Sequence, residues 1–121
     1  MPNLVIVDEF SKSPYGRYKS TLLPTEEDTS GETFRETLLA PKLREAIKNN
    51  DILNVVLTGY NRYARSFLDE AFGGLIRECG FTYEQILKHL SYEHATIPSI
   101  PAVIKERIEK AAIAKGFKNE D

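Results

Sequence analysis

Cysteine is nearly absent. A single thiol, Cys79, cannot form an internal disulfide, and it falls on the apolar face of a helical pattern. That placement reads as a buried, inert thiol in a reducing cytoplasm. Histidine is as scarce. His89 and His94 miss the i, i+4 spacing of a helical metal site, and together with Cys79 they follow no known ligand logic. Solvated or hydrogen-bonded surface histidines are expected instead. No apolar run approaches the ~20 residues of a membrane span. The start, MPNLVIVDEF, lacks a basic leader region and a small-residue cleavage site, so it reads as a first strand rather than a signal peptide. Charge of one sign is also missing. A formal net charge of −2 supplies no basic field for nucleic acid or membrane. There is no Walker-type loop, no GxGxxG after the first strand and no evident Ser–His–Asp arrangement. A catalytic role is therefore not expected, and no metal or cofactor is assigned.

What is present suits one globular domain spanning residues 1–121. The chain is 41% hydrophobic and 28% charged, and it is long enough to bury a core. Leu4 to Val7 is a continuous apolar run, expected as a covered strand. A turn follows from Ser11 to Gly16, then a weak strand pattern from Arg17 to Leu23 and a polar loop from Pro24 to Ser30. A helix is expected to begin at Thr29 or Ser30, with Thr29 and Glu32 as a capping box. Pro41 should end or kink it, or open a second turn through Leu43, Ala46 and Ile47. Asn49-Asn50-Asp51 punctuates before a strand from Ile52 to Leu57.

Asn54 to Gly80 carries the most information. It reads as a strand, a basic–aromatic loop, a serine and an amphipathic helix. Phe67, Leu68, Ala71, Phe72, Leu75, Ile76 and Cys79 recur near a period of 3.6. Ser66 stands where an N-cap is expected, with Asp69 three residues on, and Gly80 where a left-handed C-cap residue belongs. After it, Thr82 and Gln85 form a second capping box for a helix from Tyr83 to Lys88. Leu90 to Glu93 reads as a last strand. A final helix is expected from about Ile100 to Lys115, closed by Gly116. Interleaved strands and helices make an α/β layer fold.

Two features of this segment suggest contacts. Gly73 and Gly74 each cost roughly 1 kcal/mol inside a helix relative to alanine. They fall opposite the core stripe, beside Asp69, Glu70, Arg77 and Glu78. Either another element of the domain packs there, or a partner's backbone approaches. The loop Tyr60 to Arg65 sets Arg62 and Arg65 beside a helix N-terminus, a favourable place for an anion, and Gly16-Arg17-Tyr18 is similar in character. The alternative is a solvated loop whose arginines pair with Asp69 and Glu70.

Three segments carry a resemblance: GRY at 16–18, SGETFRETLL at 30–39 and SFLDEAFGGL at 66–75. In this order they resemble the STAS-like family of unknown function, a bacterial and phage relative of the STAS domains that include anti-anti-sigma factors. The resemblance implies a single STAS-like domain, with a small mixed sheet of about four strands and helices packed mainly on one face. In anti-anti-sigma factors a serine at the start of the helix after a core strand is phosphorylated by an anti-sigma kinase. Ser66 falls at that place, as phosphoacceptor or merely as helix cap. Those regulators have an aspartate before their serine pair and a glycine after it, where this chain has Ala64, Arg65 and Phe67. The resemblance implies a non-enzymatic, cytoplasmic regulatory module that binds a protein partner of the GHKL ATPase/kinase type. The implied partner surface includes Tyr63, Arg65, Asp69, Glu70, Gly73 and Gly74. The alternative is a nucleotide or phosphate sensor using Arg17, Arg62, Arg65 and the N-terminus of the Ser66 helix. Oligomeric state is left open.

Overall fold

The computed structural model describes residues 1–19 and 27–119. Three short strands form one sheet: β1 Asn3–Val5, β2 Leu53–Val56 and β3 Leu90–Glu93, in the order β1-β2-β3. Both pairings are parallel, with Leu4 opposite Val55, and Val55 opposite Tyr92. Parallel neighbours need crossovers, and helices supply them. A helical turn, α1 Ile6–Glu9, follows β1. Helix α2 spans residues 31–48, and α3 spans 65–77. Then come α4 Tyr83–His89 and α5 Ser99–Ala114. The sheet is thus wholly parallel among the described residues, not mixed, and has three strands rather than about four. The strand expected over residues 17–23 does not form at residues 17–19, and the remainder lies outside the described residues, as does part of the loop expected at 24–30.

Alternation along the strands sorts the two sheet faces. Leu4, Leu53, Val55, Leu57 and Leu90 enter one core with Phe34, Leu39, Phe67, Phe72, Leu75 and Ile104. Phe72 of α3 meets Tyr92 of β3 with ring centroids 6.0 Å apart, which places α3 over this apolar face. Helix α5 packs along α3, and α4 against α2. The opposite sheet face carries a polar strip. Asn54 donates to Asn3 and Glu93 at 3.2 and 2.9 Å, and accepts from the Ser91 hydroxyl at 2.8 Å. Buried polar side chains persist when paired in this way. Among the described residues, no helix is long and apolar enough to cross a membrane.

Local signals explain most helix ends. Thr82 and Gln85 form the expected reciprocal capping box of α4. Gly80 and Gly116 take positive φ angles after α3 and α5. Asn50, with φ of 51°, does the same after α2, where Asp51 N–H reaches Ala46 C=O. Ser30, not Thr29, caps α2: its side chain accepts from Thr33 N–H, while Glu32 accepts from Lys19 N–H. Pro41 does not end α2. The five residues before Ala40 form a π-helical turn, Arg35–Leu39, in which Ala40 N–H bonds Arg35 C=O. A proline ring would clash with the carbonyl four residues earlier in a regular helix, and the wider turn moves that carbonyl away.

The two histidines are buried, not at the surface. His89 Nδ1 lies 2.8 Å from Asp51 C=O. His94 Nδ1 accepts from Thr96 and Ile97 N–H, so its Nε2–H donates to Tyr60 C=O at 2.9 Å. Cys79 is half-buried rather than sealed in the core and lies beside the Arg35 guanidinium. Among the described residues no cluster of metal-ligating side chains forms.

Candidate functional site

Two neighbouring regions emerge at the head of α3: an exposed loop and a buried ion network. The loop leaves β2 through Thr58-Gly59. Thr58 Oγ1 accepts from Ala95 N–H at 2.9 Å, and Tyr60 C=O is held by His94. Tyr63 meets Tyr60 edge-on at 4.9 Å between ring centroids and packs on Phe67 at 5.8 Å. Its hydroxyl is buried without a hydrogen-bond partner, and burial, reinforced by Tyr60, pushes its ionisation well above the ordinary phenol range. Tyr63 is therefore an internal strut of the loop. The loop presents Asn61, Arg62 and Arg65 to solvent. Arg65 lies 3.8 Å from Glu106 with its side chain 64% exposed, a contact of little energetic weight.

Ser66 does not cap α3. The chain is extended at Ala64, which is the N-cap, and the first intrahelical bond runs from Leu68 N–H to Ala64 C=O. Ser66 is the second helical residue, already past the geometry in which a side chain folds back on the helix end. Its hydroxyl makes no hydrogen bond among the described residues, and the residue is half-exposed.

Below this head lies the ion network. Arg17 donates to Asp69 at 2.7 Å and reaches Glu70 at 3.4 Å. Arg77 grips Asp69 through both carboxylate oxygens at 3.2 Å and lies 3.7 Å from Glu70. Arg35, only 3% exposed, donates to the Glu70 carboxylate and to Glu70 C=O, each at 2.6 Å. Glu70 is equally buried. Burial alone would push the Asp69 carboxyl up; hydrogen bonds from Arg17 and Arg77 outweigh it and hold Asp69 below the ordinary carboxylate value. Burial likewise opposes the Arg35 charge, and Glu70 outweighs that too.

The network also explains a second π-helical turn, Asp69–Gly73, in which Gly74 N–H bonds Asp69 C=O. Arg35 takes the Glu70 carbonyl and Arg77 the Asp69 carbonyl. Side chains that insert into a helical ladder widen it. Gly73 and Gly74 complete the arrangement. A Cβ at Gly74 would run into the Arg35 guanidinium, and one at Gly73 would stand 2.7 Å from Arg77 Nη1. Both glycines are buried. The expectation that they offer a bare surface to a partner is thus corrected to intramolecular packing. Glu70 leaves the partner surface for the same reason, and Asp69 is mostly covered by its two arginines. Arg17 is committed to Asp69 and is not a free anion ligand. Nor do Arg62 and Arg65 pair with Asp69 and Glu70; Arg17, Arg35 and Arg77 do. Sequence reading missed Arg35, although it lies within SGETFRETLL, because an arginine between helical apolar residues is normally a surface residue.

The three resemblance segments therefore converge in space: Arg17 from the first, Arg35 from the second, and Asp69, Glu70, Gly73 and Gly74 from the third. The model of the STAS-like domain of unknown function matches residues 30–99, more than half of the chain. The chain belongs to this STAS-like family. No curated protein and no solved structure matches it. In this STAS-like domain the motif residues lock α2, α3 and the 15–17 segment together, and the solvent-facing residues of the loop stand above that lock.

Proposed function

We propose that this STAS-like domain is a regulatory module that binds a protein partner through the loop 60–65 and the first turn of α3. Ser66 acts as its phosphoacceptor. The observation that carries this reading is the state of Ser66: its hydroxyl has no structural task, yet it stands half-exposed at a helix head flanked by Arg62 and Arg65. The resemblance to the STAS-like family, and through it to anti-anti-sigma factors, supports a GHKL-type ATPase/kinase as the partner class. A phosphate there adds about −1.5 to −2 charges. Positions three and four residues apart share a helix face, so Asp69 and Glu70 lie directly beneath it. Arg17, whose side chain is 32% exposed, is the cation most able to leave Asp69 for the new anion. Such a transfer would loosen the 15–17 segment from α3 and change the surface offered to the partner.

The test is phosphopeptide mapping after incubation with ATP and a GHKL-type kinase from the native host. The proposal expects modification at Ser66, its loss in Ser66→Ala, and weakened partner binding by Ser66→Asp and by the Arg62→Glu, Arg65→Glu double variant. Equal partner affinity for wild type and all three variants would refute it. A second reading, a nucleotide or phosphate sensor, has the unpaired N–H groups at the head of α3 in its favour. A nucleotide panel separates the two, because a ligand of the folded domain raises its melting temperature by mass action.

A further inference from the structure

The two edges of the sheet differ. In a parallel pair, alternate residues of a strand turn their N–H and C=O towards the neighbour. At β1 the outward-facing donors are Asn3 and Val5 N–H, and the Glu9 carboxylate accepts the second at 2.7 Å. The folded-back turn α1 follows directly, so this edge is blunted at its C-terminal end. At β3 the bond from Leu57 N–H to Glu93 C=O fixes the phase: Ser91 and Glu93 face β2, and Tyr92 faces outward. No described residue pairs with the N–H or C=O of Tyr92. An open edge of this kind is a template for another strand, and folded proteins normally protect it.

Beside that edge runs a groove of about 290 Å³ between α4 and α5, floored by Leu90 to Tyr92. Leu87, 65% exposed, lies on its wall and also on a neighbouring hollow that includes Phe117, 47% exposed. On the α5 wall Lys105 and Glu109 stand one turn apart, and neither forms an ion pair among the described residues. Glu109 instead lies close to Tyr83 and Tyr92; after burial, its charge is what raises the ionisation of both phenols.

We propose that a second copy of this chain occupies this edge. The two β3 strands run antiparallel about a two-fold axis at Tyr92. The charge pattern of α5 selects this occupant. A two-fold axis that pairs β3 antiparallel also sets the two α5 helices antiparallel. Lys105 of each copy then faces Glu109 of the other, so four side chains without an ion pair in the single chain form two reciprocal pairs. Tyr92 exchanges N–H···O=C bonds with its counterpart, giving one continuous sheet, and the apolar rim residues Leu87 and Tyr83 are withdrawn from water. The interface is on the opposite side of β3 from β2 and does not use the loop 60–65, so it leaves the proposed partner surface free.

Analytical ultracentrifugation of the full chain from about 1 µM to about 1 mM tests this, a span that reads dissociation constants of the same order. Wild type should shift from monomer to dimer. Lys105→Glu and Glu109→Lys should each weaken the dimer at least tenfold, because each places like charges across the axis twice. An equimolar mixture of the two variants should restore dimer, since both cross-axis contacts become attractive again. Circular dichroism checks that both variants remain folded, as expected for residues on the solvent side of α5. A wild type that stays monomeric throughout would overturn the proposal and leave the edge to a strand of another protein. So would single variants that dimerise like wild type, or a mixture no better than its components.

Discussion

Replacing Glu70 by glutamine tests the ion network most directly. The change keeps shape and an acceptor oxygen but removes the charge. Glu70 is 3% exposed and lies 2.6, 3.4 and 3.7 Å from the guanidinium nitrogens of Arg35, Arg17 and Arg77. Asp69 still balances Arg17 and Arg77. Among the described residues no other carboxylate contacts Arg35, which is left with two neutral acceptors, the backbone carbonyl of residue 70 and the new amide oxygen. Removing one member of a buried pair costs about 3 to 5 kcal/mol, because the remaining charge cannot regain its hydration. Domains of this kind have about 5 to 15 kcal/mol of stability in total. Glu70→Gln should therefore remove about a fifth of it or more and lower the melting temperature by roughly 15 °C. Urea unfolding followed by circular dichroism, with the Arg35→Met, Glu70→Gln double variant, completes a thermodynamic cycle. The double variant should be more stable than Glu70→Gln alone, since no unpaired buried charge is left. A Glu70→Gln loss below about 1 kcal/mol, the range of an exposed pair, would refute the reasoning.

The other predictions are briefer. Gly74→Ala should destabilise well beyond the gain of up to about 1 kcal/mol that a helical Gly→Ala change normally brings, because the methyl group displaces Arg35; a stabilised variant in urea unfolding would contradict the packing described. Ser66→Ala should change stability by less than about 0.5 kcal/mol, whereas Thr82→Ala, which breaks a real capping box, should cost about 1 kcal/mol; equal losses would return Ser66 to a capping role. Asp69 is held below its ordinary carboxylate value, so its stabilising contribution is present above that value and is lost as pH falls through the folded-state one. An acid titration of stability should therefore show a shallower decline for Asp69→Asn than for wild type, and parallel curves would exclude Asp69 from the linkage.

Legibility followed the range of the interaction. The Thr82 and Gln85 box, the strand Leu90–Glu93, the closing glycines and the final helix depend on neighbours a few residues apart, and sequence reading located them. The cap of α3 failed for a local reason. A serine followed three residues later by an acid fits the capping pattern, but Ala64 is the residue that takes the extended turn, and Ser66 lies inside the helix. Of the readings open at Pro41, the second turn through Leu43, Ala46 and Ile47 is the one that forms; the π-helical turn that admits it is not announced by residue spacing. The parallel sense of the sheet was not legible either, since strand direction depends on where the crossovers land.

Residue order alone was enough for an α/β domain of the STAS-like family, with most helix ends, the core stripe of α3 and the absence of a one-sided charge. Those properties reside in composition, period and short motifs. Tertiary structure decided what the motif charges do. Arg17, Arg35, Asp69, Glu70 and Arg77 come from distant stretches of chain, and only packing α2 on α3 removes enough water to make their pairing obligatory. The same packing sets Gly74 against the Arg35 guanidinium, where no side chain fits. A buried charge needs a partner at a fixed distance, and that distance is a property of the folded chain rather than of its residue order.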